Sequence, residues 1–314
     1  MQPRKIQLAA LVAAASLLAA APALAADSSN QQGQGQAVVT VLPKNEVPGG
    51  ISQNTLHLKV DGRNSTITGW TPLRGPQGAV QIVVLIDDGA RESLSIQLGD
   101  IAKFIKGLPP NAEVAVAYME YGRAVLGGPL STDHAAVARE LHMPLVGIFG
   151  VSASPYFCLS QLAKNWPSTD TRARREVVMV TDGVDYYEIR YDPEDPYVQA
   201  AIEDAVRAHL IVYSIYWRNQ GFLDRTGYAA YDGQNLLAQL TEATGGYLYW
   251  LGYGDPVSFE PYFADLDRRL DNQYELNFMA PVGSKPQMAS MKLEVSAPAK
   301  VDAPQQVYVH PGAE

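Results

Sequence analysis

The sequence predicts an α/β protein with a doubly wound, mostly parallel sheet, flanked by a small β module built from the N- and C-terminal segments. Residues 82–86 form an apolar, largely β-branched run that stops at Asp87, Asp88 and Gly89, as expected for a strand buried on both faces. Residues 177–183 repeat the pattern and end in Asp182-Gly183. Strands and helices alternate between and after these runs, which is typical of parallel sheets.

The N-terminus has the features of a secretory signal over residues 1–25. Arg4 and Lys5 precede an Ala- and Leu-rich apolar run, and Ala23-Leu24-Ala25 is typical of a cleavage site. The alternative, a membrane anchor, is disfavoured because the run is short for a bilayer span. We therefore expect an exported protein, periplasmic or extracellular, with no stable membrane span after cleavage.

Composition excludes several classes of function. Cleavage would leave 22 basic and 33 acidic residues, a formal charge of −11, so nucleic acid is not an expected partner. The single cysteine, Cys158, excludes an intrachain disulfide. Its apolar surroundings indicate a buried thiol rather than a nucleophile.

The first folded segment is predicted to be the small β module, residues 37–78. Residues 26–36, rich in Gln and Gly, are expected to be a flexible leader. Strands are predicted at residues 38–43, 55–60 and 65–68, with a turn at Asp61-Gly62. One exposed edge of this module could add a partner strand.

The α/β domain is predicted to span residues 79–280, and a β tail, residues 281–314, to pack on the β module. Helices are expected at residues 92–108, 133–141, 155–165, 197–209, 234–244 and 259–272. Strands are expected at residues 113–118, 123–130, 176–181, 211–216 and 247–251 within the domain, and at 273–278, 290–295 and 306–309 toward the C-terminus. Asp87 and Asp182 should then meet at the carboxyl edge of the sheet, where ligands of such sheets bind.

Several spaced features resemble the von Willebrand factor type A domain and its relatives among exported bacterial proteins. They are the strand ending at Asp87, the Gly/Ser loop at residues 147–154, the strand ending in Thr181-Asp182-Gly183, and the run LLAQLTEATGGYLYW at residues 236–250. The resemblance covers roughly residues 37–309. It implies the A-domain fold and a role in binding other macromolecules.

The resemblance also implies a metal-dependent adhesion site, which this sequence keeps only in degenerate form. The family pattern Asp-x-Ser-x-Ser falls on Asp87, Gly89 and Arg91, so both serines are missing. The remaining candidate ligands are Asp87, Ser152, Ser154 and Asp182. Mg²⁺ or another divalent cation is one alternative. The other alternative is that no cofactor binds, because the cationic side chain of Arg91 would compete with a metal for Asp87 and Asp182.

The loop after Asp182 combines acids with tyrosines and is the second candidate site. The predicted partner contacts are Arg91, Asp185, Tyr186, Tyr187 and Tyr191. Tyrosine supplies a large contact area at low entropic cost, which is typical of recognition surfaces. The alternative is a solvated acidic loop whose tyrosines pack inward, with Asp87 and Asp182 capping helices or pairing with Arg91.

No enzyme motif is present, and the five histidines are scattered. We therefore expect a binding module, not an enzyme, that engages a protein or cell-envelope partner through the carboxyl edge of the sheet. The alternative is a structural scaffold that makes its contacts through the β module and tail, with the A-like domain inert.

Overall fold

The computed structural model describes residues 31–44, 50–75, 78–90, 92–144, 154–188, 190–218, 228–252 and 254–312, without the side chains of 228–230. The predicted signal, the start of the leader, and the site candidates Arg91 and Ser152 lie outside these ranges. Two sheets and six helices make up the described fold.

The elements alternate in chain order. The strands are β1 (Gln31–Pro43), β2 (Leu56–Val60), β3 (Arg63–Asn64), β4 (Thr66–Pro72), β5 (Val80–Asp87), β6 (Ala112–Glu120), β7 (Arg123–Leu126), β8 (Arg174–Thr181), β9 (Leu210–Tyr216), β10 (Leu248–Tyr249), β11 (Gln273–Val282), β12 (Gln287–Val295), β13 (Ala299–Asp302) and β14 (Gln306–Pro311). The helices are α1 (Leu98–Gly107), α2 (His134–Arg139), α3 (Pro155–Lys164), α4 (Pro196–Arg207), α5 (Tyr228–Thr244) and α6 (Glu260–Leu270). Residues Glu92–Ile96, expected to begin a helix, form a separate 3₁₀ turn before α1.

The first sheet has six strands in the order β10-β9-β8-β5-β6-β7, parallel except for the antiparallel edge strand β7. Every residue of β5 is buried, as its continuous apolar run predicts. Alternate residues of β5 enter two cores: Ile82 and Val84 pack with α1, α2 and α6, whereas Val83 and Leu85 pack with α3, α4 and α5. The predicted α/β class is confirmed.

The second sheet is antiparallel and larger than the small β module predicted from the sequence. It has eight strands, in the order β3-β2-β12-β14-β1-β11-β4, with β13 paired to β1. Only Ser65 separates β3 from β4 along the chain, yet these strands lie at opposite ends of the sheet. The sheet must therefore curl back on itself, around a core that includes Val39, Leu276, Phe278 and Val309.

The leader predicted for residues 26–36 is wrong from Gln31 onward, because β1 begins there and pairs with β11. The Gln-Gly repeat has a period of two: Gly33 and Gly35 are buried, whereas Gln32 and Gln34 are exposed. A Cβ atom on Gly35 would lie 2.3 Å from the ring of Phe278. Glycine here makes room for a core ring and does not indicate flexibility.

The domain boundary predicted at residue 280 is also wrong. It falls within β11, which pairs with β1 and β4 of the antiparallel sheet. Residues of β11 alternate between buried and partly exposed positions, unlike the fully buried strand β5. The α/β layer therefore ends with α6, and the chain enters the antiparallel sheet at Gln273.

Arg269 joins the two layers. Its side chain is 2% exposed and bonds Asp265 of α6 through Nε and Asp302 of β13 through Nη1, each at 2.6 Å. The guanidinium also lies over the ring of Tyr247, 4.1 Å from its centroid, and Lys300 lies over the same ring at 4.4 Å. Cation and ring contacts thus tie α6 to the antiparallel sheet.

Candidate functional site

The carboxyl ends of β5 and β8 bring the two predicted aspartates to one edge. The strands are parallel and adjacent, with Ile86 opposite Val180, so Asp87 lies beside Thr181 and Asp182 follows directly. Both carboxylates are nearly buried, with exposures of 7% for Asp87 and 3% for Asp182. Groups of this kind require hydrogen-bond partners within the fold.

Asp87 receives hydrogen bonds on both oxygens. Thr181 Oγ1 donates to Oδ2 at 2.5 Å, and the backbone N–H of Gly89 donates to Oδ1 at 2.9 Å. Thr181 Oγ1 in turn accepts the N–H of Gly183 at 3.1 Å. Asp87 therefore links β5 to the turn after β8, rather than capping a helix.

Asp182 is satisfied in a similar way. Its Oδ1 accepts the N–H of Val184 at 3.0 Å, and its Oδ2 accepts the hydroxyl of Tyr186 at 2.8 Å. Burial, followed by the charge of Asp182, raises the pKa of the Tyr186 phenol well above its usual range. Tyr186, predicted to contact a partner, thus lies partly buried with its hydroxyl turned inward.

Asp185 and Ser154 lie beneath the same loop. Asp185 is 2% exposed and accepts the N–H of Tyr187 at 2.9 Å. Burial raises the pKa of Asp185, and the N–H of Tyr187 opposes this shift. Among the described residues, the second carboxylate oxygen of Asp185 and the hydroxyl of Ser154 are buried without a hydrogen-bond partner. Tyr156 OH donates to the carbonyl of Gly183 at 2.7 Å. Asp185, predicted to contact a partner, is therefore a buried support of the loop, and Ser154 lies beside it.

The described donor set does not fit the divalent cation that the family resemblance implies. Residue 89 is a glycine whose N–H points at Asp87, and hydroxyl protons from Thr181 and Tyr186 point at the two carboxylates. A cation needs oxygen lone pairs in these places. Over the described parts of the chain, no three His, Cys, Asp or Glu side chains form a group that could hold a metal ion.

Asp88 is a further acid at this edge, directly after Asp87, and the sequence analysis gave it no role in the site. Burial, then the charges of Asp87 and Glu120, raise the pKa of Asp88 to about 7. Glu120 ends β6, the strand next to β5. The raised pKa could have been predicted from the sequence, because these three acids lie at the ends of adjacent strands and like charges in proximity disfavour ionisation.

Aromatic rings cover the outer side of the loop. Tyr187 and Tyr191 are 42% and 39% exposed. Tyr187, Phe157 of α3 and Tyr197 of α4 pack edge to face with centroids 5.0–5.2 Å apart, and we name these three residues the aromatic cluster. Tyr187 and Tyr191 were predicted from the sequence, but Phe157 was not, because no pattern in the sequence of α3 indicates that this helix packs against the loop.

Three further exposed apolar side chains lie in the segments that follow β5 and β10. Ile96, after β5, and Leu251, after β10, are 76% and 69% exposed, and Val257 is 94% exposed. Gln97 Nε2 donates to the carbonyl of Val257 at 2.9 Å, which places Val257 near Ile96. Exposed apolar groups of this kind often mark interaction surfaces.

Comparison with known proteins gives weak structural similarities. No protein-family model and no curated protein matches the sequence. Proximal thread matrix protein 1 from the mussel byssus is 15% identical, with 61% of this chain and 47% of that chain covered and a TM-score of 0.41. Protein BatB from Bacteroides thetaiotaomicron is 12% identical, with 61% and 97% covered and a TM-score of 0.40. The VWA domain of SpRpn10 is 12% identical, with 60% and 95% covered and a TM-score of 0.39.

This chain therefore spans about half the length of the mussel protein. Similarities of this strength show no function for this chain. Within the described ranges, no helix is long and apolar enough to cross a membrane.

Proposed function

We propose that the protein is an exported binding module that engages a protein or cell-envelope partner through the carboxyl edge of the six-stranded sheet. The aromatic cluster carries the proposal, because Tyr187 and the nearby Tyr191 expose rings at the edge where parallel sheets bind ligands. The signal features of residues 1–25 support export, to the periplasm or the medium.

The buried carboxylates form a support for this surface. Asp87, Asp182 and Asp185 accept hydrogen bonds from the turn after β8 and from the loop, which holds the loop's start in one conformation. A rigid loop loses less entropy when a partner binds. The aromatic rings then supply contact area, and the exposed acids around them favour a partner with basic groups.

We propose that binding requires neither a metal nor a cofactor, since hydroxyl groups already donate to the two edge aspartates.

We also propose that the protein is not an enzyme. Burial raises the pKa of the Cys158 thiol far above its usual range, which leaves no reactive thiolate. His134 and His142 bond the backbone carbonyls of Ala112 and Met143.

The test is site-specific photo-cross-linking in cells or in native envelope preparations. A photoreactive residue at position 187 or 191 is expected to give one discrete cross-linked product, because these side chains face the partner. The product should persist in the presence of a divalent-metal chelator. If the chelator abolished the cross-linked product, the proposal of metal-independent binding would be wrong. If neither position gave a product, the proposal that the partner binds at the carboxyl edge would be wrong.

The scaffold alternative uses the antiparallel sheet and is tested in the same experiment. Deleting the β segments would be uninformative, because β1 and β14 are adjacent inner strands that carry core residues such as Val39 and Val309. A photoreactive residue at Met288, which is 36% exposed on β12, probes that sheet without removing its core. Cross-links at 288 but not at 187 or 191 would favour the scaffold.

A further inference from the structure

A cleft lies between the two sheets at the amino ends of β8 and β9. Its cavity volume is about 90 Å³, within a wider recess of about 770 Å³ that includes open solvent. Apolar side chains form much of its wall, among them Val38 of β1, Ala173, Leu210 and Val307 of β14. Because β8 has eight residues, the cleft lies roughly 23 Å along the strand from Asp182. It is therefore separate from the carboxyl edge.

The cleft is basic, although the chain as a whole has a formal charge of −9. Among the described residues, Arg172, Arg174 and Arg175 line it, and Glu275 is the only acid that does. Arg174 is satisfied within the fold, since it pairs with Glu176 at 3.2 Å and also bonds three backbone carbonyls. Arg172 extends into solvent, with 92% of its side chain exposed. Arg175 is the remaining cation at the apolar wall.

The guanidinium of Arg175 has only weak partners. Its Nη2 lies 3.5 Å from the carbonyl oxygens of Ser168 and Asp170, and its carbon lies 5.8 Å from the ring centroid of Trp166. No carboxylate of the described residues forms an ion pair with it at 4.0 Å or less. Burial lowers the pKa of Arg175, and the charge of the nearby Asp170 carboxylate partly opposes this shift. A half-buried guanidinium in this setting favours a carboxylate, which its planar fork can bind with two hydrogen bonds.

The other wall carries a buried acceptor. Gln306 of β14 lines the cleft, and its Oε1 is buried without a hydrogen-bond partner among the residues described. This oxygen does not bind a carboxylate, but a turn of the side-chain amide by about 180° brings its NH₂ donor to the same place, where it can bond one. Apolar walls with a few polar groups are the usual composition of a small-molecule site. We propose that the cleft binds a small organic carboxylate, with its acid group on Arg175 and its apolar body against Val38 and Leu210. This inference does not rest on the proposed function at the carboxyl edge.

The first test compares phenylacetate with phenylacetamide, which has the same shape without the charge. Binding is measured by saturation-transfer NMR and by the shift of the thermal midpoint. Phenylacetate is expected to bind with Kd on the order of 1 mM, as suits a ligand of about ten non-hydrogen atoms. Phenylacetamide is expected to bind at least about tenfold more weakly, since it lacks the charge-assisted bonds.

Variants locate the site. Arg175→Gln is expected to weaken phenylacetate binding about tenfold, whereas Arg139→Gln, an exposed arginine on α2, removes the same charge and should leave binding unchanged. Thr171→Trp places a bulky ring at the exposed rim and should block entry without disturbing the core. Circular dichroism and unfolding midpoints confirm that each variant is folded. Equal binding of the acid and the amide, undiminished binding by Arg175→Gln, or no phenylacetate binding at all would each overturn the proposal.

Discussion

At the scale of residues, Asp87 and Asp182 at the carboxyl edge accept hydrogen bonds from the protein's own donors. Thr181 and Tyr186 supply hydroxyls where the family pattern would have a metal, so Asp87 and Asp182 stabilise the turn after β8. Removing either partner of such a buried pair costs more than the bond itself contributes, because the remaining group loses solvation without compensation. These aspartates are therefore poor positions for testing partner binding, since their variants also alter the support of the loop.

Asp88 is expected to make stability depend on pH. Its pKa rises from 3.8 to about 7 on folding, so the folded state binds more protons between these values. Stability should therefore fall as pH rises from about 4 to about 7, and the full penalty should be present at pH 8. Asp88→Asn removes the penalty and is expected to raise the free energy of unfolding at pH 8 by about 1–2 kcal/mol, a figure reduced for the group's partial exposure.

The measurement is urea unfolding of the wild type and Asp88→Asn at pH 4 and pH 8. Near pH 4 the two should differ little. Glu92→Gln, an exposed acid after the same strand, serves as the charge-matched control. An equal gain at both pH values, or a similar gain from the control, would contradict the assignment.

At the scale of elements, β1 shows how one pattern can indicate two structures. Its Gln-Gly start has the composition of a linker, yet it has the period of a strand. Its partners β11 and β14 lie more than 200 residues later in the chain, and they supply Phe278, Val282 and Val309, whose side chains lie next to the glycines. Only this pairing distinguishes the strand from a flexible leader.

Gly35→Val is expected to destabilise the protein, because its side chain would meet the ring of Phe278. Overpacking a core of this kind costs about 1–3 kcal/mol. Gln34→Val places the same side chain on the exposed face of β1 and should change the unfolding free energy by less than about 0.5 kcal/mol. The measurement is the unfolding free energy of both variants in chemical denaturant. Equal effects would show that residues 31–36 do not pair as described.

At the scale of the whole molecule, the two sheets are held together by contacts that include the buried cation Arg269. Its two carboxylate partners come from α6 and from β13, and its ring partner Tyr247 precedes β10. The cleft proposed to bind a carboxylate lies between the same two sheets. Changes in how the two sheets pack are therefore expected to alter that cleft more than they alter the carboxyl edge.

Arg269→Met is expected to cost about 2–3 kcal/mol, because it removes charge-assisted hydrogen bonds to Asp265 and Asp302, which keep Arg268 and Lys300 as partners. Arg268→Met is the matched control: Arg268 also pairs with Asp265, at 2.8 Å, but its side chain is 60% exposed. Exposed pairs contribute about 0–1 kcal/mol. Comparing the two unfolding free energies tests the role of Arg269, and similar losses would refute it.

Much of the fold could be predicted from local patterns. The apolar run at residues 82–86 predicted β5, and the helix expected at residues 155–165 matches α3. The helix expected from residue 133 is α2, which Asp133 caps by accepting the N–H of Ala136 at 2.9 Å. The size of the antiparallel sheet could not be predicted, because its strands come from both ends of the chain and their register depends on distant partners. Tyrosines packed inward were one of two alternatives for the loop, and the sequence could not decide for Tyr186 because its inward turn depends on the hydrogen bond to Asp182.

The sequence by itself determined the α/β class and the meeting of Asp87 and Asp182 at one edge. These follow from hydrophobic periodicity and from the parallel order of strands, which are local or general properties. Only the tertiary structure decided which tyrosines face solvent, how Phe157 joins Tyr187, and where the basic cleft lies. Each of these depends on side chains brought together from separate elements, and packing between elements is not encoded in any one stretch of sequence.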